Sequence, residues 1–123
     1  MNNESNHSLV LEKIFHEPNR LAIMSTLCVA KKGATFRELK TECHLTDGNL
    51  NRHLKVLKEC GAIRIEKEFV ENKPRTTIFL TSNGLDRFSE YLDALETIMK
   101  QAQQALPKKR SQSIPLTGKR ATI

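Results

Sequence analysis

The sequence predicts a mainly α-helical domain with one small β-hairpin and a long C-terminal helix. Three patterns predict this fold. Two short amphipathic helix patterns meet at a turn within residues 35–63, and alternating apolar and polar residues follow in 62–70, with a second β-rich stretch at 75–80. Apolar residues then recur at alternating spacings of three and four as far as residue 106. The first and last patterns have the period of a helix, and the middle one has the period of a half-buried strand.

The chain of 123 residues is the size of one domain. We place this domain at residues 8–106, and we expect residues 107–123 to be a basic disordered tail because they lack periodicity. Aromatic residues make up 5% and Trp is absent, so we expect an aliphatic core. The N-terminus has no basic-then-apolar leader and no window resembles a membrane span, which predicts a cytoplasmic protein without a membrane partner.

Two helices are predicted before the helix pair. Residues 8–16 form a short amphipathic pattern, and a second helix begins at Pro18, a residue favoured in the first turn. Lys31, Lys32 and Gly33 then end the second helix with cations and a C-cap glycine.

Threonine caps mark the remaining helices. Thr35 and Glu38 form a T-x-x-E capping box, so the third helix begins near Phe36 and ends near residues 43–44. Thr46 caps the fourth helix, which Gly61 ends. Residues 62–70 and 75–80 are predicted strands joined by a turn at 71–74, and residue 81 caps the final helix.

The outward face of the fourth helix predicts contact with DNA. No acidic residue occurs from Gly48 to Lys58, whereas an ordinary solvated face mixes both charges. Asn pairs with adenine edges and Arg with guanine edges, and the first half of a recognition helix reaches the bases. The predicted contacts from this helix and its cap are Thr46, Asp47, Gly48, Asn49, Asn51, Arg52, His53 and Lys55.

Two other places are predicted to bind the DNA backbone or minor groove. Lys73, Arg75 and Thr76 make the hairpin tip basic, and Thr35 and Arg37 open the third helix. Residues 31–80 hold eleven Lys or Arg against seven Asp or Glu, whereas residues 81–106 hold two against four. This distribution suits nucleic acid on one face and protein on another.

The final helix predicts a homodimer. Its apolar residues form an a/d heptad seam over three repeats, which is more than one small domain with one hairpin would cover. We expect the first helix to join the interface. The predicted interface residues are Leu9, Ile14, Phe15, Leu85, Phe88, Leu92, Leu95 and Met99.

A family resemblance rests on four stretches of this sequence. They are residues 45–57, 60–63, 73–77 and 80–84, which read as a capped helix with H-L-x-x-L, a small residue and Gly, a basic hairpin and L-T-x-x-G. This order resembles the winged helix-turn-helix regulators of bacteria and archaea, and is most similar to small ArsR/MarR-like regulators. The resemblance covers roughly residues 10–104 and implies a winged helix with a C-terminal dimerisation helix. It also implies a dimeric DNA-binding regulator, more often a repressor, on a palindromic operator.

Other functions are weighed against this one. Metal-binding ArsR-like members carry a paired-cysteine motif, whereas the corresponding residues 38–44 hold only Cys43 beside His44, so no metal and no cofactor is predicted. No motif of an enzyme is present. The alternatives are a protein–protein assembly module, a metal- or redox-responsive sensor, and an RNA-binding protein. No effector pocket is indicated by the pattern.

Overall fold

The computed structural model describes residues 12–107, and these contain four α-helices and three β-strands. The predicted fold class, a mainly helical winged helix with a long C-terminal helix, is confirmed. Residues 108–123 of the predicted tail and Leu9 lie outside the described residues. The elements run in the order α1 (Pro18–Val29), β1 (Ala34–Thr35), α2 (Phe36–Cys43), α3 (Asp47–Glu59), β2 (Ile63–Val70), β3 (Lys73–Leu80) and α4 (Ser82–Ala105).

The described part of the predicted first helix is a turn. The His16 N–H donates to the Glu12 carbonyl at 2.9 Å, but the helix does not continue. Glu17 is extended, with φ −138° and ψ 127°, because the ring of Pro18 disfavours helical backbone at the preceding residue. The predicted helix is therefore wrong for residues 12–16. The turn still inserts the fully buried Phe15 into the core.

The predicted threonine caps are confirmed at all three helices. Thr35 and Glu38 exchange the two hydrogen bonds of a capping box, at 2.9 and 3.0 Å. The Thr46 hydroxyl accepts from the N–H of residue 49 at 3.2 Å, and Thr81 accepts from that of Gly84 at 2.9 Å. Between α2 and α3, residue 44 adopts left-handed backbone with φ 56° and reverses the chain. These caps fix where α2, α3 and α4 begin.

The sheet has the strand order β1–β3–β2, and all its pairs are antiparallel. Glu71 and Asn72 both have positive φ, 54° and 66°, and form a two-residue hairpin turn. The predicted turn at 71–74 was too long, since Lys73 and Pro74 belong to β3. Proline is tolerated here because β1 pairs only with residues 77–78, which leaves one edge of β3 free.

The core combines aliphatic side chains with one aromatic cluster. Phe15 meets Phe88 edge-on at 5.4 Å, and the Tyr91 ring stacks on Phe88 at 5.8 Å. The expectation of a purely aliphatic core is therefore wrong. Arg87 ties α4 to the N-terminal turn through two hydrogen bonds to the Glu12 carboxylate, at 2.7 and 3.2 Å. One face of α4 therefore packs against the core of the chain itself.

Candidate nucleic-acid interface

Helix α3 has one buried and one exposed face. Leu50, Leu54 and Leu57 are buried, as their spacing predicts. The exposed face lacks carboxylates from residue 48 to residue 58 and presents amides, a guanidinium and an ammonium. Its exposed residues are Gly48, Asn49, Asn51, Arg52, Lys55 and Lys58.

The side chains at the start of α3 are already partly paired. The Arg52 guanidinium donates to Oδ1 of Asn49 at 3.0 Å, so two predicted base-reading side chains hold each other on the surface. Asp47 pairs with Lys40 of α2 at 2.8 Å between Nζ and Oδ1. This cation and the positive N-terminal end of α3 offset the negative charge of Asp47 at this surface. Both pairs are exposed and can rearrange on binding.

Gly48 has no structural reason to be glycine. A Cβ placed on it would meet no atom within 4 Å, and its backbone is ordinary helix. Glycine inside a helix costs about 0.5–1 kcal/mol relative to alanine. A residue with this cost and no role in packing suits a surface that another molecule approaches closely.

The wing and the start of α2 meet in one groove. Sequence reasoning treated these as two separate backbone-binding places, and the fold joins them across the β1–β3 pairing. The groove has a volume of about 610 Å³ and also contains the carboxylates of Glu38 and Glu71. The predicted residues that line it are Thr35, Arg37, Lys73, Arg75 and Thr76.

His53 is not on this surface, so its predicted contact with DNA is wrong. The side chain is 5% exposed and faces α1, where Arg20 Nη1 lies 3.2 Å from its Nδ1. The sequence held a sign of this, because at 3.6 residues per turn position 53 lies only about 40° from Leu57 on the helix. Its partners Glu17 and Asn19 were not singled out from the sequence.

The predicted dimer seam divides into two sets. Phe15 and Phe88 are buried in the core of the chain itself, so they have no surface left for a partner, and their assignment to the interface is wrong. Ile14 and Leu95 are half-buried against the same core. A stripe of exposed residues, each seven positions from the next, remains on α4: Leu85 at 50%, Leu92 at 41% and Met99 at 49% exposure.

The cysteines do not gather into a metal site. Within residues 12–107, no group of three His, Cys, Asp or Glu side chains could hold a metal ion. Burial raises the pKa of the Cys28 and Cys43 thiols, which lowers their thiolate fraction. The same described range contains no helix with the length and apolarity needed to cross a membrane.

Comparison with known proteins gives a family match and close folds. The family model described as "Winged helix DNA-binding domain" matches residues 19–99. An uncharacterized protein of Methanocaldococcus jannaschii is 36% identical over 80 residues, which cover 65% of this chain and 86% of that protein.

Solved structures share the fold. The transcriptional regulator homologue from Pyrococcus horikoshii OT3 has a TM-score of 0.71 at 27% identity, covering 82% of this chain and 98% of that one. MepR of Staphylococcus aureus, solved as a complex with DNA, has a TM-score of 0.58 at 15% identity. The match covers 75% of this chain and 66% of the MepR chain. The structural neighbours also include MarR-family transcriptional regulators. The resemblance to such regulators is thereby confirmed.

Proposed function

Because the chain belongs to the winged helix DNA-binding domain family, we propose that it regulates transcription by binding a specific double-stranded operator as a homodimer. One observation carries this proposal. The exposed face of α3, from a capped and exposed N-terminus, offers amide and guanidinium groups without a single carboxylate between residues 48 and 58. A helix of this kind fits the major groove, where its first half reaches base edges.

Base reading falls to Asn49, Asn51 and Arg52. All three are exposed in the first half of α3. In the groove, Arg52 would exchange its bond with Asn49 for guanine O6 and N7, and the freed Asn49 amide would pair with adenine. Thr46 and Asp47 lie at the cap beside them, and Lys55 lies one turn further on and would bind a phosphate.

The groove between the wing and α2 would hold the DNA backbone. Three of its residues are cationic: Arg37, Lys73 and Arg75. Thr35 and Thr76 add hydroxyl groups, and the N-terminus of α2 adds the positive end of its dipole. Such contacts fix the register of a protein on duplex DNA without reading its sequence.

The exposed stripe of α4 supports the homodimer. Leu85, Leu92 and Met99 recur at heptad spacing along a helix of 24 residues, which is about 36 Å long. Pairing this stripe with a second copy would bury it and relate two α3 helices by a two-fold axis. The operator would then be palindromic, with half-sites about 34 Å apart. Repression would follow where the bound dimer covers a promoter, and a cytoplasmic location accords with this role.

Selection of binding sites from a random pool of duplex DNA tests the proposal. We expect enrichment of one palindromic site, bound about a thousandfold or more tightly than random duplex. An assembly module would enrich no sequence, and an RNA-binding protein would be displaced more readily by RNA than by duplex DNA. Either result would contradict the proposal.

A further inference from the structure

A polar cluster of one buried and three half-buried residues connects the inner face of α3 to the start of α1. We call it the His53 cluster, and it consists of Glu17, Asn19, Arg20 and His53. Arg20 Nη1 lies 3.2 Å from His53 Nδ1, and the Asn19 amide nitrogen lies 3.5 Å from Nε2 on the other side of the ring. His53 is the one polar residue among the buried side chains of residues 12–107.

Arg20 is held firmly by its other contacts. Its Nε donates to the Ile14 carbonyl at 2.7 Å, and its backbone N–H donates to the Glu17 carboxylate, the N-cap of α1, at 2.8 Å. The N-terminal turn thus holds the guanidinium through Nε, and the helix cap holds the backbone of the same residue. A hydrogen bond from the Arg20 guanidinium to His53 therefore restrains the position of α3 relative to α1.

The contact with Arg20 defines the protonation state of His53. A guanidinium only donates hydrogen bonds, so in the contact with Arg20 Nδ1 accepts, and the neutral imidazole carries its proton on Nε2. The Asn19 amide nitrogen also only donates, so at 3.5 Å it is a neighbour of Nε2 and not its hydrogen-bond partner. Burial lowers the pKa of His53, the Glu17 carboxylate opposes this, and the Arg20 and Arg52 cations lower it further. These are the charged groups that face His53 from α1, its cap and its own helix.

We propose that the His53 cluster sets the rotation of α3 about its axis and thereby determines sequence discrimination, with neutral His53 as the required form. This inference rests on the proposed function. The rest of the inner face is Leu50, Leu54 and Leu57, whose apolar contacts are non-directional. A hydrogen bond is directional, and His53 directly follows Arg52 in the chain. A small rotation of α3 would therefore displace Arg52 from a base edge.

Protonation of His53 would break this arrangement. The new N–H on Nδ1 would point at the Arg20 guanidinium, while the Glu17 carboxylate, 3.9 Å from Nδ1, would attract the imidazolium. Acidification should then reduce discrimination between selected and random duplex. Added positive charge alone would act differently, since it strengthens binding to phosphates of any sequence. The ratio of the two affinities separates these effects.

The test uses the full chain, a duplex enriched from the random pool and a random-sequence duplex of equal length. Their affinity ratio is measured by fluorescence anisotropy between about pH 8 and about pH 5, a range that continues well below the ordinary histidine pKa of about 6.5 because the fold lowers the pKa of His53. We expect the ratio to fall about tenfold at the acidic end, as for the loss of one hydrogen bond to a charged group.

Variants separate positioning from general effects. His53→Gln is neutral at every pH and can accept from Arg20, so it should keep much of the ratio at about pH 8 and lose the pH dependence. Arg20→Gln should lower the ratio at about pH 8, and Arg20→Lys should partly restore it. Lys13→Gln removes one charge outside the cluster, and His44→Asn removes an exposed histidine in left-handed backbone. Both controls should retain the wild-type profile.

Each outcome decides the matter. An unchanged ratio across the pH range, or an identical pH profile in His53→Gln, would overturn the inference while leaving the proposed function intact. If no duplex is enriched from the random pool, both the inference and the proposed function are overturned. If Arg20→Gln does not fold, the wild-type pH profile and His53→Gln still give the answer.

Discussion

Replacing Gly48 by alanine should stabilise the fold and weaken DNA binding. The added methyl group would meet no protein atom within 4 Å, so it causes no steric cost. Alanine gains about 0.5–1 kcal/mol over glycine in a helix, and the lower half of that range applies in the first turn. For a domain of this size, thermal unfolding should shift upward by about 2–6 °C.

The affinity of Gly48→Ala for its selected duplex should change in the opposite direction. If the glycine permits close approach to DNA, the methyl group separates α3 from the groove and the affinity should fall about tenfold, on the order of one lost direct contact. Calorimetry or circular dichroism gives the stability, and fluorescence anisotropy gives the affinity. Stabilisation without any loss of affinity would refute the reasoning that Gly48 faces DNA.

Gly84→Ala is the matched control for this experiment. A Cβ on Gly84 would overlap the carbonyl oxygen of Ala62, so the start of α4 must move away from the core. We expect a loss of about 2–3 kcal/mol or more in the free energy of unfolding. Equal effects of the two substitutions on stability would contradict the packing described for both helices.

The remaining predictions concern base reading, dimerisation and pH. Arg52→Ala should weaken specific binding by about 1–3 kcal/mol and relax the preference at one base position. Site selection repeated with the variant measures this, and an unchanged preference at every position would contradict base reading by Arg52. Leu92→Glu should give monomers in sedimentation, whereas Val29→Glu, at an exposed residue of α1, should leave the dimer intact. A dimer that survives Leu92→Glu would contradict the assignment of the α4 stripe as the dimer interface. Because the fold lowers the pKa of His53, the unfolded state takes up the proton first, so stability present above about pH 6.5 should be lost as pH falls toward the folded pKa. Denaturant unfolding across pH measures this, and a His53→Gln variant with the same slope would argue against it.

Local chemistry made most of the fold predictable. Thr35, Thr46 and Thr81 mark helix starts because their hydroxyls satisfy backbone N–H groups within the same few residues. The first strand of the wing follows from alternation and the second from residues that favour strands, and both signals depend only on neighbours along the chain. By contrast, β1 has two residues, too few for any periodicity to appear.

The predictions that were wrong concern residues whose surroundings depend on contacts between distant parts of the chain. A heptad seam indicates that a helix face is covered but not which partner covers it, and Phe88 is covered by Phe15 of the same chain. Glu17 and Arg20 have the composition of a surface helix start, yet they converge on His53 from more than thirty positions away. Only the packing of α1 on α3 brings these groups together.

Titration of labelled duplex DNA across salt concentrations tests the central claim most directly. The selected duplex is compared with a shuffled duplex of the same base composition. We predict binding at about 50 mM salt, an affinity that falls with salt as phosphate-bound counterions are released, and about a thousandfold preference for the selected sequence at about 150 mM salt. Absence of duplex binding at about 50 mM salt, where electrostatic attraction is strongest, would contradict the account.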